Sequence, residues 1–232
     1  PLSGMGPDGV SFIYPTGSGW TWYMNPSNPN DGYLNTGGGS LFKNLIKNPD
    51  GSWRADNDAD VKFNIIVNKG ENGGKPDAIG GCGMNFTDSV NRGYAHAPND
   101  IGKKGIEMTG FFKVYGPLGH NSHDSIPGIF MKGPWSHHPG TAGECCQEVE
   151  YYHVLETNGT LHYVKEGSQN NIFPHPKTYK IPNFNMIGAP FFGLKYVYIN
   201  ETTNKADPKV RLQSYFNRTG DGKTWEKIGE IL

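Results

Sequence analysis

The chain has 232 residues, of which 33 are Gly and 17 Pro, so it is long enough for a well-buried β domain and rich in turns; no three-residue glycine period is present, which excludes collagen. Twenty-one basic against 22 acidic side chains leave a formal charge of −1, which excludes the electrostatic footprint of a nucleic-acid or anionic-membrane binder. Aromatics at 12% alongside a mean hydropathy of −0.60 describe a polar chain with rings enough to bury, and no run approaches the ~18 apolar residues of a membrane helix.

Gly or Pro interrupts most helical windows, so the ordered segments read as strands. Val10–Tyr14, stopped by Pro15, reads as an edge strand of its own subunit or a partner for a neighbour's edge. The Asn/Pro run from Asn25 to Asn30 and the Gly37-Gly38-Gly39 triplet make residues 1–55 a strand-and-loop overlay on a β-sandwich of residues 56–232. Val61–Val67 is β-branched and bounded by polar turns. Ile106–Val114 alternates, placing Ile106, Met108, Phe112 and Val114 on one face. Glu148–Leu155 and Leu161–Lys165 flank an Asn158-Gly159 step, a hairpin signal. Phe192–Ile199 pairs with Val210–Phe216, and a last hairpin turns at Thr219–Lys223, its Trp225 capping the sandwich. Short strands at this spacing predict an all-β sandwich or barrel.

Four N-x-S/T sequons, at Asn85, Asn158, Asn200 and Asn217, all end in Thr and sit beside turn formers, as expected of glycosylation sites in a secreted chain. The opening Pro1-Leu2-Ser3-Gly4 is read as the start of a mature, processed protein. Three cysteines fit an oxidising compartment. Cys82 pairing with either Cys145 or Cys146 closes a long loop; a vicinal Cys145–Cys146 bridge is the strained alternative.

Several constellations bear chemistry. Glu148, Glu150 and Tyr152 share a strand face, with the two carboxylates about 6–7 Å apart, a spacing that suits the carboxylate pair of a glycosidase as well as a solvated acidic face. His138 with Tyr151, beside Lys132, offers the base, acid and charge neutraliser of a β-eliminating polysaccharide lyase. His120, His123, His137, His138, His153 and His162 form a candidate transition-metal set. Asp56, Asp58 and Asp60 alternate as oxygen ligands for a structural calcium, without the glycine and distal Glu of an EF-hand. Trp135 and the Trp20, Trp22, Tyr23 run are rings on which sugars can stack.

Gly105–Phe112, Gly143-Glu144-Cys145-Cys146, Gly193–Val197, Arg211–Tyr215 and Trp225-Glu226-Lys227 together resemble the concanavalin A-like jelly roll of secreted archaeal and bacterial proteins, near its polysaccharide lyase and laminin-G-like branches. The resemblance covers roughly residues 100 to 232 and implies a lectin/glucanase-type β-sandwich. The Arg-x-Glu-x-Arg and Gln-Ile-His strands of alginate-lyase relatives are absent. Of the glucanase Glu-x-Asp-x-x-Glu strand only Glu148 and Glu150 fit, with His153 in the last place. The expectation is a secreted, glycosylated, non-catalytic protein of the cell surface or extracellular matrix, which binds carbohydrate, assembles with itself, or both. Its alternatives are a polysaccharide lyase or glycosidase, a filament subunit joined by N-terminal strand exchange, and a histidine-based metal binder.

Overall fold

A computed structural model describes residues 4–6, 8–13, 45–55, 105–116, 128–132, 136–138, 147–167, 171–201 and 209–232. Contacts divide the chain into two units, one of Pro1–Gly19, Asp100–His138 and Gln147–Leu232, the other of Trp20–Asn99 and Pro139–Cys146. Every regular element among the described residues is a strand. The expected strand Val61–Val67, the three cysteines, Asp56, Asp58, Asp60, Asn85, His120, His123, Trp20, Trp22, Tyr23 and Trp135 lie outside the described residues.

In the second unit, β3 (Leu45–Lys47) and β4 (Trp53–Ala55) form a hairpin. Its turn, Asn48-Pro49-Asp50-Gly51, closes through Gly51 N–H on Asn48 O at 3.0 Å. The Asp50 carboxylate accepts from Ser52 N–H at 2.9 Å, and Gly51 takes φ +86°, a value that favours glycine.

The first unit begins with β1 (Gly4–Met5) paired to β2 (Ser11–Phe12). Ser11–Phe12 thus extends neither large sheet among the described residues, unlike the edge strand expected at Val10–Tyr14. The larger sheets follow. β6 (Gly128–Lys132), β7 (Ser136–His138), β8 (Gln147–Glu156), β9 (Thr160–Gly167) and β10 (Asn171–Lys180) form a five-stranded antiparallel sheet in the order β10-β9-β8-β6, with β7 also on β8. β5 (Gly105–Phe112), β11 (Phe192–Asn200), β12 (Val210–Asn217) and β13 (Glu226–Ile231) form a four-stranded antiparallel sheet in the order β13-β12-β11-β5.

Alternation explains how these sheets meet. Tyr196 registers with Ser214 and Met108, Leu194 with Phe216, and Tyr198 with Leu212 and Ile106, so these residues share one face of the four-stranded sheet. Leu155, Leu161 and Tyr163 of the five-stranded sheet join Leu194, Tyr196, Leu212 and Phe216 in one buried core. Phe184 packs edge-on against Phe192 and Phe216 at 5.1 and 4.7 Å between centroids, geometry that adds to plain area burial. Tyr179 donates its hydroxyl to Glu230 O, tying β10 to β13. The arrangement is all-β and sandwich-like, with the expected Glu156–Thr160 and Thr219–Lys223 hairpins both formed.

Candidate functional site

The other face of the four-stranded sheet carries buried charge. Lys195 on β11 is opposite Thr109 on β5 and Tyr215 on β12, and Glu107 stands one step along β5 opposite Val197. The Lys195 side chain is fully buried and that of Glu107 is 6% exposed. Burial pulls the Lys195 amine below its usual range, and the Glu107 charge opposes that fall. An ammonium has three N–H donors. Lys195 Nζ donates to the Glu107 carboxylate, to Thr109 Oγ1 at 2.9 Å and to the backbone carbonyl of Ser11 at 3.0 Å. The Trp225 ring lies 4.6 Å from the same nitrogen, a cation–π contact.

The segment leading into and out of β2 therefore completes the site with main-chain groups. Ile13 N–H donates to both Glu107 oxygens, at 3.1 and 3.3 Å. Ser11 N–H donates to Gly222 O at 2.8 Å, and Trp225 Nε1 donates to that carbonyl at 3.0 Å. Gly222 is required there, because a Cβ would sit 3.1 Å from Val10 Cγ2 at a φ of +70°. Gly193 makes room for the indole, since a Cβ there would approach the Trp225 ring to 2.8 Å. No motif pointed to this cluster. Its one sequence signal is a lysine in the middle of the otherwise apolar strand Phe192–Ile199.

The sequence candidates fall elsewhere. Tyr151 is half-buried between the sheets, its ring 6.4 Å from that of Tyr198 and its carbonyl accepting from Tyr196 Oη at 3.1 Å. His138 registers with Gln147, four residues along β8 from Tyr151, so the two backbones lie about 13 Å apart. Lys132 is opposite Tyr152. Of the expected lyase trio, Lys132 therefore registers beside Tyr151, whereas His138 registers four residues further along β8. Glu148 and Glu150 both lie on β8, opposite His137 and Glu166 respectively.

His153 and His162 do not converge either. His153 registers with Tyr163 on the core face, whereas His162 registers with Val154 on the opposite face. His153 is buried, with Nδ1 hydrogen-bonded to Ser214 Oγ at 2.6 Å and its ring 4.8 Å from Tyr196. Burial lowers its pKa to about 3, so the core holds a neutral imidazole. His162 Nε2 pairs with Glu156 Oε1 at 2.5 Å. No group of three metal-ligating side chains occurs among the described residues.

The sequons are also separated by their surroundings. Asn158 is exposed at the β8–β9 turn, where Lys180 Nζ donates to its carbonyl at 2.5 Å. Asn200 ends β11. Asn217 is fully buried, and its Nδ2 donates to Asp221 Oδ1 at 2.6 Å and to Thr224 O at 2.9 Å. Both amide protons are committed, so Asn217 locks the last hairpin and has no room for a sugar in this fold. The Asn217 bond, with backbone N–H donors from Lys223 and Thr224, holds the Asp221 carboxyl down at about 2.

Comparison with family models, curated proteins and solved structures finds no match to this chain.

Proposed function

We propose that this chain is an extracellular, glycosylated jelly roll of the concanavalin A-like kind that works by binding carbohydrate and by assembly at a cell surface or in an extracellular matrix, with residues 8–13 as its joining element. One observation carries the assembly reading: the N-terminal segment reaches the buried Lys195–Glu107 pair through main-chain groups, the Ser11 carbonyl and the Ile13 N–H. Main-chain groups are the same in every copy, so a neighbour's segment makes identical bonds, as in strand exchange. Ile13 and Glu107 are 94 positions apart, so no short connection ties the segment to its own sheet.

A structural calcium at Asp56, Asp58 and Asp60, and sugar stacking on Trp135, Trp20, Trp22 and Tyr23, belong to the same proposal. The assembly reading is tested by light scattering. The intact chain is expected to form oligomers, and removal of residues 1–13 to leave a monomer. A peptide spanning residues 4–15, added to the intact chain, is expected to compete and lower the mass. A monomeric intact chain, or an oligomer untouched by deletion and peptide, overturns it.

A further inference from the structure

At one end of the four-stranded sheet, β5 finishes, β11 begins and β12 finishes, because Phe112 registers with Phe192 and Gly193 with Asn217. The loop between Ile181 and Phe191 is bolted across that end. Gly188 N–H donates to Val114 O at 3.2 Å, Met186 N–H to Thr157 O at 2.7 Å, and Ile181 N–H to Gly159 O at 3.0 Å. With Ile181 and Met186 buried as anchors, the outward residues are held in fixed places. Asn183 adopts φ +53°, a left-handed conformation that Asn tolerates better than most residues.

This end presents rings, amides and cations together. Tyr115 is 70% and Phe191 37% exposed. Lys113 Nζ lies 5.2 Å from the Tyr115 ring centroid and 6.0 Å from that of Phe191. Beside them an open depression of about 300 Å³ is lined by Asn183, Asn185 and Arg218 over Phe184 and Pro190. Arg218 spends one N–H on Pro182 O at 3.2 Å and rests 5.4 Å from the Phe216 ring; its other donors have no partner among the described residues. The Asp221 carboxylate of the neighbouring turn is occupied by Asn217, Lys223 and Thr224.

From this juxtaposition we infer that Lys113, Tyr115, Asn183, Asn185, Phe191 and Arg218 bind an acidic polysaccharide. Sugar C–H faces stack on exposed rings, amides meet hydroxyls, and a planar guanidinium grips a carboxylate or sulfate. The inference rests on the carbohydrate-binding half of the proposed function and names its ligand class. It lies apart from the expected Trp135 and Trp20–Tyr23 rings, and it is independent of the N-terminal joining element.

The test is calorimetric titration of the intact chain with three probes: an oligogalacturonate, chondroitin sulfate and neutral dextran. At least one acidic probe is expected to bind, with dextran much weaker. The double variant Lys113→Gln/Arg218→Gln, both surface positions, is expected to lose at least about tenfold in affinity while still unfolding cooperatively on heating. Tyr115→Ala is expected to weaken the same probe. Which acidic probe binds separates carboxylate from sulfate recognition. Binding of acidic probes that the double variant leaves untouched overturns this site while sparing carbohydrate binding in general. Equal binding of dextran overturns the acidic class, and failure of all three probes overturns both the site and the carbohydrate reading it rests on. Light scattering reports on assembly in every case.

Discussion

His153 shows how much one imidazole weighs when water cannot reach it. Its Nδ1 is bonded to Ser214, and its Nε2 has no hydrogen-bond partner among the described residues. Protonating the ring inside the fold places a charge between two sheets, so its pKa falls from 6.5 to about 3. The sign follows directly. The unfolded chain binds the proton and the folded chain does not, so stability falls with pH below about 6.5 and goes on falling to about 3. The slope is about 1.4 kcal/mol per pH unit. Urea unfolding between pH 6.5 and 5 is expected to show it, and His153→Asn, which does not titrate, is expected to flatten it. An unchanged slope in the variant would place the effect in other groups.

At the scale of elements, the Lys195–Glu107 pair binds β11 to β5 and both to the segment around β2. Buried pairs contribute little net stability compared with apolar packing, yet breaking one strands a charge. Lys195→Met is therefore expected to cost about 3–5 kcal/mol in denaturant unfolding, with Glu107 left without its ammonium. Lys195→Met combined with Glu107→Leu is expected to recover much of that loss; additive losses would show the two residues act separately. The strands around this pair were legible as strings: Phe192–Ile199 against Val210–Phe216, and the Ile106–Val114 face, follow from alternation alone. β10 was not legible, because Pro174 and Pro176 interrupt its pattern. Its position at the sheet edge and the register shift between Pro174 and Thr178 are what make them tolerable. The β3–β4 hairpin was missed although Asn48-Pro49-Asp50-Gly51 announces it, since short flanking runs carry little periodicity.

For the whole molecule, sequons are judged by where folding leaves them. Peptide mapping of protein from a glycosylating host is expected to find sugar on Asn158, exposed at a turn, and none on Asn217, whose amide is sealed in the last hairpin. Sugar on Asn217 would mean that this hairpin is built differently. A tripeptide motif is local and reads the same in both places; burial is not local. The same limit explains the functional candidates. Tyr151 and His138 looked like partners by composition, but register sets them apart along β8, and His153 and His162 part company because successive residues of a strand face opposite ways.

The strands at Ile106–Val114, Glu148–Leu155, Leu161–Lys165, Phe192–Ile199 and Val210–Phe216, and the turns at Asn158-Gly159 and Thr219–Lys223, were determined by the sequence alone, because alternation and turn chemistry act over a few neighbouring residues. Tertiary structure alone decided that Lys195 is buried, that a backbone carbonyl 184 positions away completes its hydrogen bonding, and that Arg218 lines a depression with Asn183 and Asn185. Those outcomes depend on which strands pair and which faces close over one another. Contacts of that range are selected by the free energy of the assembled sheets and leave no periodic trace in the chain.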